Sequence, residues 1–487
     1  MSGLQCPKRL YLEVHRPELA TPPDAATQAI LDMGTDLGEL ARQRFPGGRL
    51  VPAGYRQSRE ALEQTAALIA DPTVPAIFEG ALQFSDVLVR VDVLERLRLD
   101  EEGRWIWRLV EVKSSTKLKA THLEDLAVQA YVVEGAGLAL AEICLMHVNT
   151  QYIFDGCSLD LRQLFMLRPL TDVVRPKLAE VESRLAGMKT MLAMADPPVT
   201  DPDDHCWSPY ECPFWAHCTR DKPARWIFHL PGNTKSFSVL TKKGVVTIDD
   251  LPADVQLSPV QRLVKEGKEW IGAGLRHALE SVKYPVHHLD FETVMPAVPK
   301  YARTRPYEVL PVQWSNHLER EDGSLEHAEF LCRDARDSRE ELVVALLEAL
   351  GCDGSVCVYS SYERSILERL AEMFPPLRSD LMHVIGRLWD LHEVVKAHYY
   401  HPGFAGSYSI KSVLPAVIPS LSYADLDIRD GGVAAREYAR MVFELSDWVE
   451  RARIEEALLR YCARDTLAMV ELRRALKRKA VSSNPQS

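Results

Sequence analysis

Three cysteines at equal spacing constrain the first half of this chain more than any other feature. Cys206, Cys212 and Cys218 stand in HCWSPYECPFWAHC with five residues between neighbours, and Cys6 lies in GLQCPKRLYLE near the first residue. Four thiolates are what a tetrahedral zinc ion or an iron–sulfur cluster takes. If the four meet, the start of the chain is tied to a distant segment. One domain then closes near residue 222 and another begins. The spacing is wider than that of a Cys-x2-Cys knuckle. Pro209, Pro213, Trp207, Tyr210, Phe214 and Trp215 describe a compact, partly apolar loop that would shield whatever the thiolates hold. The plainer alternative is a set of buried or free thiols with no ligand.

A chain of 487 residues is too long for one core, so two or three domains are expected. Hydrophobic residues at 46% and charged residues at 26% describe a soluble globular protein. No apolar run is long enough to span a bilayer, and no secretory h-region is visible in MSGLQCPKRLYLEVHRP. The ten cysteines are scattered, which fits a reducing cytoplasm better than a disulfide framework. A net charge of −11 argues against a protein that passively coats nucleic acid. It is compatible with a nuclease, whose metal-binding carboxylates add to the acidic count. Two local basic stretches, Arg303 and Arg305 in KYARTRPY and the run LRRALKRK at 472–479, read as solvated faces.

Along residues 1–222, apolar positions Ile30, Met33, Leu37, Leu40 and Ala41 recur at helical spacing within 25–45, ended by Pro46-Gly47-Gly48. A second helix is expected over 58–70. AIFEGALQFSDVLVRVDVLERLRL, a turn at 100–103 and RWIWRLVEVKSST then read as strands of one sheet. Residues two apart on a strand share a face, so Glu111 and Lys113 point one way and Val110 and Val112 the other. Asp92 lies between Val91 and Val93 on the preceding strand. An Asp, a Glu and a Lys brought together hold a divalent cation and polarise water, with the Val112 carbonyl as another hard oxygen ligand. The alternative is a salt bridge between neighbouring strands.

Asp92, Glu111-Val112-Lys113, Gln129 and Tyr131, inside the frame of Cys6, Cys206, Cys212 and Cys218, resemble the RecB-like PD-(D/E)xK nucleases, above all their iron–sulfur members. The resemblance implies a [4Fe–4S] cluster on the four cysteines, clipping the domain without being its catalyst. It implies a metal on Asp92 and Glu111, with Lys113 and Gln129 in the catalytic group, and Glu79 as a further carboxylate. Many relatives carry a histidine in the first helix. Here Gly34-Thr35-Asp36-Leu37-Gly38-Glu39 lacks it, and Asp36 or Glu39 stands in for it.

Residues 223–285 read as a small helical connector. Within it LTKKGVVTIDDLP is slightly like a helix-hairpin turn that grips a phosphate backbone, and an ordinary linker is the preferred reading. Residues 286–480 hold a second group of acids. Asp290 and Glu292 share one face of a strand in VHHLDFETV, Glu363 stands where a strand meets a helix, and Tyr461 and Asp465 are four apart on a late helix. Separate acidic segments plus a tyrosine suit two-metal phosphodiester cleavage.

This order resembles the DEDD exonucleases of the RNase H-like fold, in the subclass marked by Tyr-x3-Asp. Their middle motif, Asn-x2-(Phe/Tyr)-Asp, is here Ser360-Ser361-Tyr362-Glu363, with a carboxylate one methylene longer. GSYSIKSVLPAV around Lys411 also resembles the proofreading domains of family-B polymerases. The whole layout resembles bacterial proteins that fuse the two kinds of domain.

The expected fold class is therefore α/β: a PD-(D/E)xK restriction-endonuclease-like domain (1–222), a connector (223–285), an RNase H-like domain (286–480) and a disordered tail (481–487). The expected function is a cytoplasmic, metal-dependent nuclease using Mg2+ or Mn2+. Metal ligands would be Asp92, Glu111, Asp290, Glu292 and Asp465, and further site residues Lys113, Gln129, Glu363 and Tyr461. Its partner is nucleic acid, DNA ahead of RNA, held by its backbone without sequence preference; no membrane is involved. The rivals are a nucleic-acid-binding module with decayed sites and an iron–sulfur redox sensor.

Overall fold

The computed structural model describes residues 1–54, 56–232 and 234–482. The chain forms two compact units. The first is Met1–Asp221 with Pro296–Glu308, and the second is Lys222–Met295 with Val309–Ser487.

In the first unit six strands lie side by side in chain order: β1 (Arg49–Leu50), β2 (Ala76–Phe84), β3 (Val87–Leu99), β4 (Trp105–Lys113), β5 (Ala139–Val148) and β6 (Phe165–Pro169). β2, β3 and β4 form an antiparallel meander, and β5 runs parallel to β4. Helix Ala120–Gly135 makes the crossover between β4 and β5 that a parallel pair requires. Alternation along β4 divides the core. Trp107 and Leu109 pack with Leu126 and Ala130 of that helix. Val110 packs with Phe78, Met146 and Leu37 on the other face.

Helix Ala25–Arg42 starts where Asp24 accepts from the Thr27 N–H, a side-chain N-cap. Its buried contacts are Leu37 and Ala41, while Ile30, expected on the same apolar face, is 61% exposed. No residue of the helix before Leu37 is buried, so helical periodicity alone overstates the buried face. Ala297, Val298 and Tyr307 of the 296–308 segment also pack on this second face. A stretch placed by sequence order within 286–480 thus belongs to the first unit.

In the second unit β8 (Val286–Val294) is the central strand of a five-stranded sheet, and a further two strands pair apart from it. The strands are β7 (Trp270–Ile271), β8, β9 (Leu310–Glu319), β10 (Leu325–Leu331), β11 (Ser355–Val358), β12 (Leu388–Asp390) and β13 (Tyr399–Tyr400). The sheet order is β10-β9-β8-β11-β12. β9 and β10 are antiparallel, and β11 and β12 run parallel to β8. β7 pairs separately with β13. At the entry to β11, Gly354 adopts φ +81°, and a Cβ there would lie 1.9 Å from the Pro285 carbonyl oxygen. Only glycine fits that approach.

Helix Leu275–Glu280 buries Leu275 and Leu279 against Val395, Tyr399 and Leu472. Residues 223–285, expected as a separate connector, group with the second unit, and their last helix packs into its core. The long helix Trp448–Ser482 covers the sheet and runs into the stretch expected as a tail; residues 483–487 lie outside the described residues. In the basic run on this helix, Arg473 is 1% exposed and pairs with Glu319, which also binds Arg474 at 2.8 Å. The solvated face expected there fails at Arg473, because that side of the helix is packed on β9.

Candidate active sites

In the first unit the β3–β4 ladder is paired at Val93 and Val110 and is not continued at Asp92. The Asp92 carboxylate accepts the Val112 N–H at 2.6 Å, replacing the missing ladder partner. Glu111 continues the Trp107–Leu109 face of β4 toward helix Ala120–Gly135. One of its oxygens accepts from Gln129 Nε2 at 2.6 Å and the other from Lys113 Nζ. Lys113 is also held by Asp125 at 3.0 Å. The structure thus brings Asp92, Glu111, Lys113 and Gln129 together, and adds Asp125. Asp125 and Gln129 are four apart on one helix face, a spacing that could have revealed the pair.

Electrostatics here follow from enclosure. Burial raises Asp92 to about 6, against the pull of the Val112 N–H and of Lys113. Burial, then repulsion from Asp92, puts Glu111 well above the usual carboxylate range. Burial works against the Lys113 ammonium, but Glu111 and Asp125 outweigh it and raise its pKa.

Four other residues expected near this site behave differently. Glu79 has φ +54° in mid-strand, and its carboxylate is engaged by Arg42 at 3.2 Å and Arg90 at 3.7 Å. Its charge still repels Asp92. Asp36 and Glu39 are exposed, and no hydrogen bond joins either to the group. Tyr131 packs in the core with its ring edge-on to Phe84, because two residues beyond Gln129 a helix has turned to another side.

Cys6, Cys206, Cys212 and Cys218 all line one small cavity, floored by Leu12 and Phe214. Backbone bonds fold the loop: Cys212 N–H donates to Cys206 O and Cys218 N–H to Phe214 O. Burial raises the Cys206 thiol to about 11, and the other three sulfurs push the same way. The expected meeting of chain start and distant loop is present in the geometry.

In the second unit Asp290 and Glu292 project from the middle of the sheet. Glu363 stands in the first turn of helix Tyr362–Met373, with Ser360 Oγ donating to it at 3.0 Å. Tyr461 and Asp465 come from helix Trp448–Ser482 and are 3% and 8% exposed. Burial raises Asp290 well above the usual carboxylate range, followed by repulsion from Asp465, Glu292 and Glu363. Burial and Asp465 do the same to Glu292, eased by Lys411. Burial places Glu363 at about 7 and Asp465 at about 6. All five predicted residues of this unit are therefore in one group.

Two more side chains complete it. Tyr423 donates its hydroxyl to Asp465 Oδ1 at 2.5 Å. Lys411 Nζ lies 5.8 Å from the Tyr423 ring centre and 5.4 Å from that of Tyr461. Tyr423 carries no sequence signal, since it reaches Asp465 only through the fold. Lys411 was visible only as part of a motif.

Fold and sites define a mixed α/β chain with two separate carboxylate centres, one in each unit, and a four-thiol cavity in the first. Residues 287–409 match the model of a family described as Domain of unknown function (DUF2779). The match takes in Asp290, Glu292 and Glu363 and ends before Lys411, Tyr423, Tyr461 and Asp465. No curated protein and no solved structure matches the chain. No helix among the described residues is long and apolar enough to cross a membrane.

Proposed function

We propose that this chain is a metal-dependent nuclease that hydrolyses phosphodiester bonds, with DNA ahead of RNA as substrate and one candidate centre in each unit. The observation that carries the reading is the convergence of Asp290, Glu292, Glu363 and Asp465 from three elements into one mutually repelling group. Buried carboxylates that repel one another are unfavourable as ions unless a proton or a cation joins them. Lys411 is the cation that eases both Glu292 and Asp465; Arg464 is held by Asp425. An all-oxygen donor set of this kind fits hard divalent ions such as Mg2+ or Mn2+. Two such ions, when bound, supply charge for the attacking and leaving oxygens of an in-line displacement.

The chain's own residues would divide the remaining work. Tyr423 fixes Asp465 through its hydroxyl, and Lys411 balances part of the charge. Tyr461, beside Asp465, would orient a water. Glu363 still reaches Asp290 despite its extra methylene, which favours a working site over a decayed one. The central position of β8, between antiparallel β9 and parallel β11, supports the RNase H-like assignment.

For the first unit, the group on β3, β4 and helix Ala120–Gly135 supports the PD-(D/E)xK assignment. Asp92 and Glu111 would hold the metal. Gln129 would orient Glu111, and Lys113 would stabilise charge developing on phosphorus.

The four thiols fit a metal centre by their chemistry and their shared cavity. Four thiolates suit either a zinc ion or an iron–sulfur cluster, and the resemblance of the surrounding motif is what supports the cluster.

The test is a time course on end-labelled single- and double-stranded DNA and RNA with Mg2+ or Mn2+. The full chain and its Asp290→Asn, Lys113→Ala and doubly substituted forms are compared. A ladder lost in Asp290→Asn and all cutting lost in the double variant are expected. Equal cutting by all four proteins would refute the reading.

A further inference from the structure

Beside Asp290 the second unit places a thiol that two-metal hydrolysis has no use for. Cys462 follows Tyr461 and stands three residues before Asp465 on helix Trp448–Ser482, so both turn toward β8. It is fully buried. Its Sγ lies 4.0 Å from the Asp290 carbonyl oxygen and 4.0 Å from Asp290 Oδ2. Donor atoms of Asp290, Glu292 and Cys462 all lie within 4.8 Å of one another. Among the described residues this is the one group of three or more His, Cys, Asp or Glu donors that meets that distance.

A thiolate changes which cation such a group prefers. Mg2+ takes oxygen ligands in octahedral geometry and gains little from sulfur. Zn2+ binds carboxylate oxygen and cysteine sulfur together, in tetrahedral sites with one position left open when the protein gives three ligands. With bonds of about 2.0 and 2.3 Å, the oxygen and sulfur donors of such a site stand about 3.5 Å apart. The 4.0 Å between Cys462 Sγ and Asp290 Oδ2 would close by about half an ångström, and the other pairs, all within 4.8 Å, by no more than about 1.3 Å.

Resting on the two-metal reading of this site, we propose that Asp290, Glu292 and Cys462 form a thiophilic cation site that binds Zn2+ in preference to Mg2+ and thereby arrests the second unit. The cation displaces the thiol proton, so binding releases it to solvent. A zinc ion held in this way occupies both carboxylates that two hard cations would otherwise share. The thiolate enlarges the preference beyond what the carboxylate pair gives alone, because sulfur ligands select zinc over magnesium.

The experiment uses the full chain with its other nine cysteines intact, as wild type and as Cys462→Ala. Co2+ serves as a spectroscopic probe in magnesium-free buffer. Wild type is expected to show thiolate-to-cobalt charge-transfer absorption beyond that of Cys462→Ala, corresponding to one added site per chain. If the alanine variant does not fold, Cys462→Ser gives the same comparison, since a hydroxyl produces no such band. Zinc inhibition of the magnesium-supported ladder, each protein normalised to its own rate, is expected to need at least tenfold more zinc in the variant. Identical cobalt spectra for wild type and variant overturn the proposal. So does equal zinc sensitivity where a ladder is present. Absence of cleavage in every protein would instead remove the nuclease reading, with the cobalt comparison still deciding whether Cys462 is a ligand.

Discussion

Replacing Glu363 with glutamine should make the metal-free second unit more stable at alkaline pH. Glu363 is 5% exposed and has its carboxyl raised from 4.5 to about 7, first by burial. At about 1.4 kcal/mol per tenfold change, that displacement corresponds to roughly 3 kcal/mol against the ionised form. The sign follows from linkage. Below pH 4.5 the carboxyl is neutral in both the folded and the unfolded chain, and there is no penalty. Between 4.5 and about 7 the unfolded chain gives up the proton first and the penalty grows. Above 7 it is complete. Glutamine keeps the shape and can still accept from Ser360 Oγ, but it carries no charge.

The gain for Glu363→Gln should therefore be about 2 to 3 kcal/mol at pH 8 and near zero at pH 4.5. Unfolding of a two-unit chain need not be two-state. Hydrogen-exchange protection of β8 and β11, measured in EDTA, reads the second unit alone. Mn2+ at a hundredfold excess over its dissociation constant should cancel the variant's advantage, because wild type gains about 2.7 kcal/mol and the variant does not. Lower protection of the variant at pH 8 in EDTA, or a gain equal at pH 5 and pH 8, would show that Glu363 is not an ion forced into this group.

In Asp290→Asn protein, where the first unit's site is isolated, Lys113→Ala should lower the remaining cleavage by about 100- to 1000-fold with nucleic-acid affinity nearly unchanged; a wild-type rate would remove Lys113 from catalysis. Cys212→Ala should abolish the visible absorption, iron and sulfide of protein purified without oxygen and destabilise the first unit, since a bound centre adds directly to folding; a colourless wild type holding one zinc would keep the ligands and replace the cluster. Burial lowers His287 and His317 to about 4, so as pH falls from 6.5 to 4 the unfolded chain takes protons that the fold refuses. The stability difference between His287→Gln and wild type should then shift toward the variant over that range, by at most about 3 kcal/mol, and a pH-independent difference by hydrogen exchange would contradict it.

How much of these sites could be read beforehand depended on the range of the signal. Period-two alternation placed Glu111 and Lys113 on one face, and Asp290 and Glu292 on another, because strand geometry is local. Helical spacing did the same for Tyr461 and Asp465. Equal cysteine spacing marked the thiol loop, although only the fold shows that Cys6 reaches it. Local order also predicted more than it could guarantee. Ile30 fits the helical pattern yet faces solvent, and Arg473 fits a basic surface run yet is buried on Glu319.

What the fold alone decided is which distant groups share a dielectric environment. The sequence could name four acids in the second unit, but their repulsion exists only because β8 and two helices enclose them. Tyr423 and Lys411 join that group through tertiary packing, and Cys462 becomes a donor because its helix turns it onto Asp290. Residues 296–308 follow the β8 segment in the chain yet pack with the first unit, an outcome no local pattern carries. Charges and hydrogen-bonding groups can be counted from the chain, whereas the energy of bringing them together depends on separation and burial, which only the tertiary structure sets.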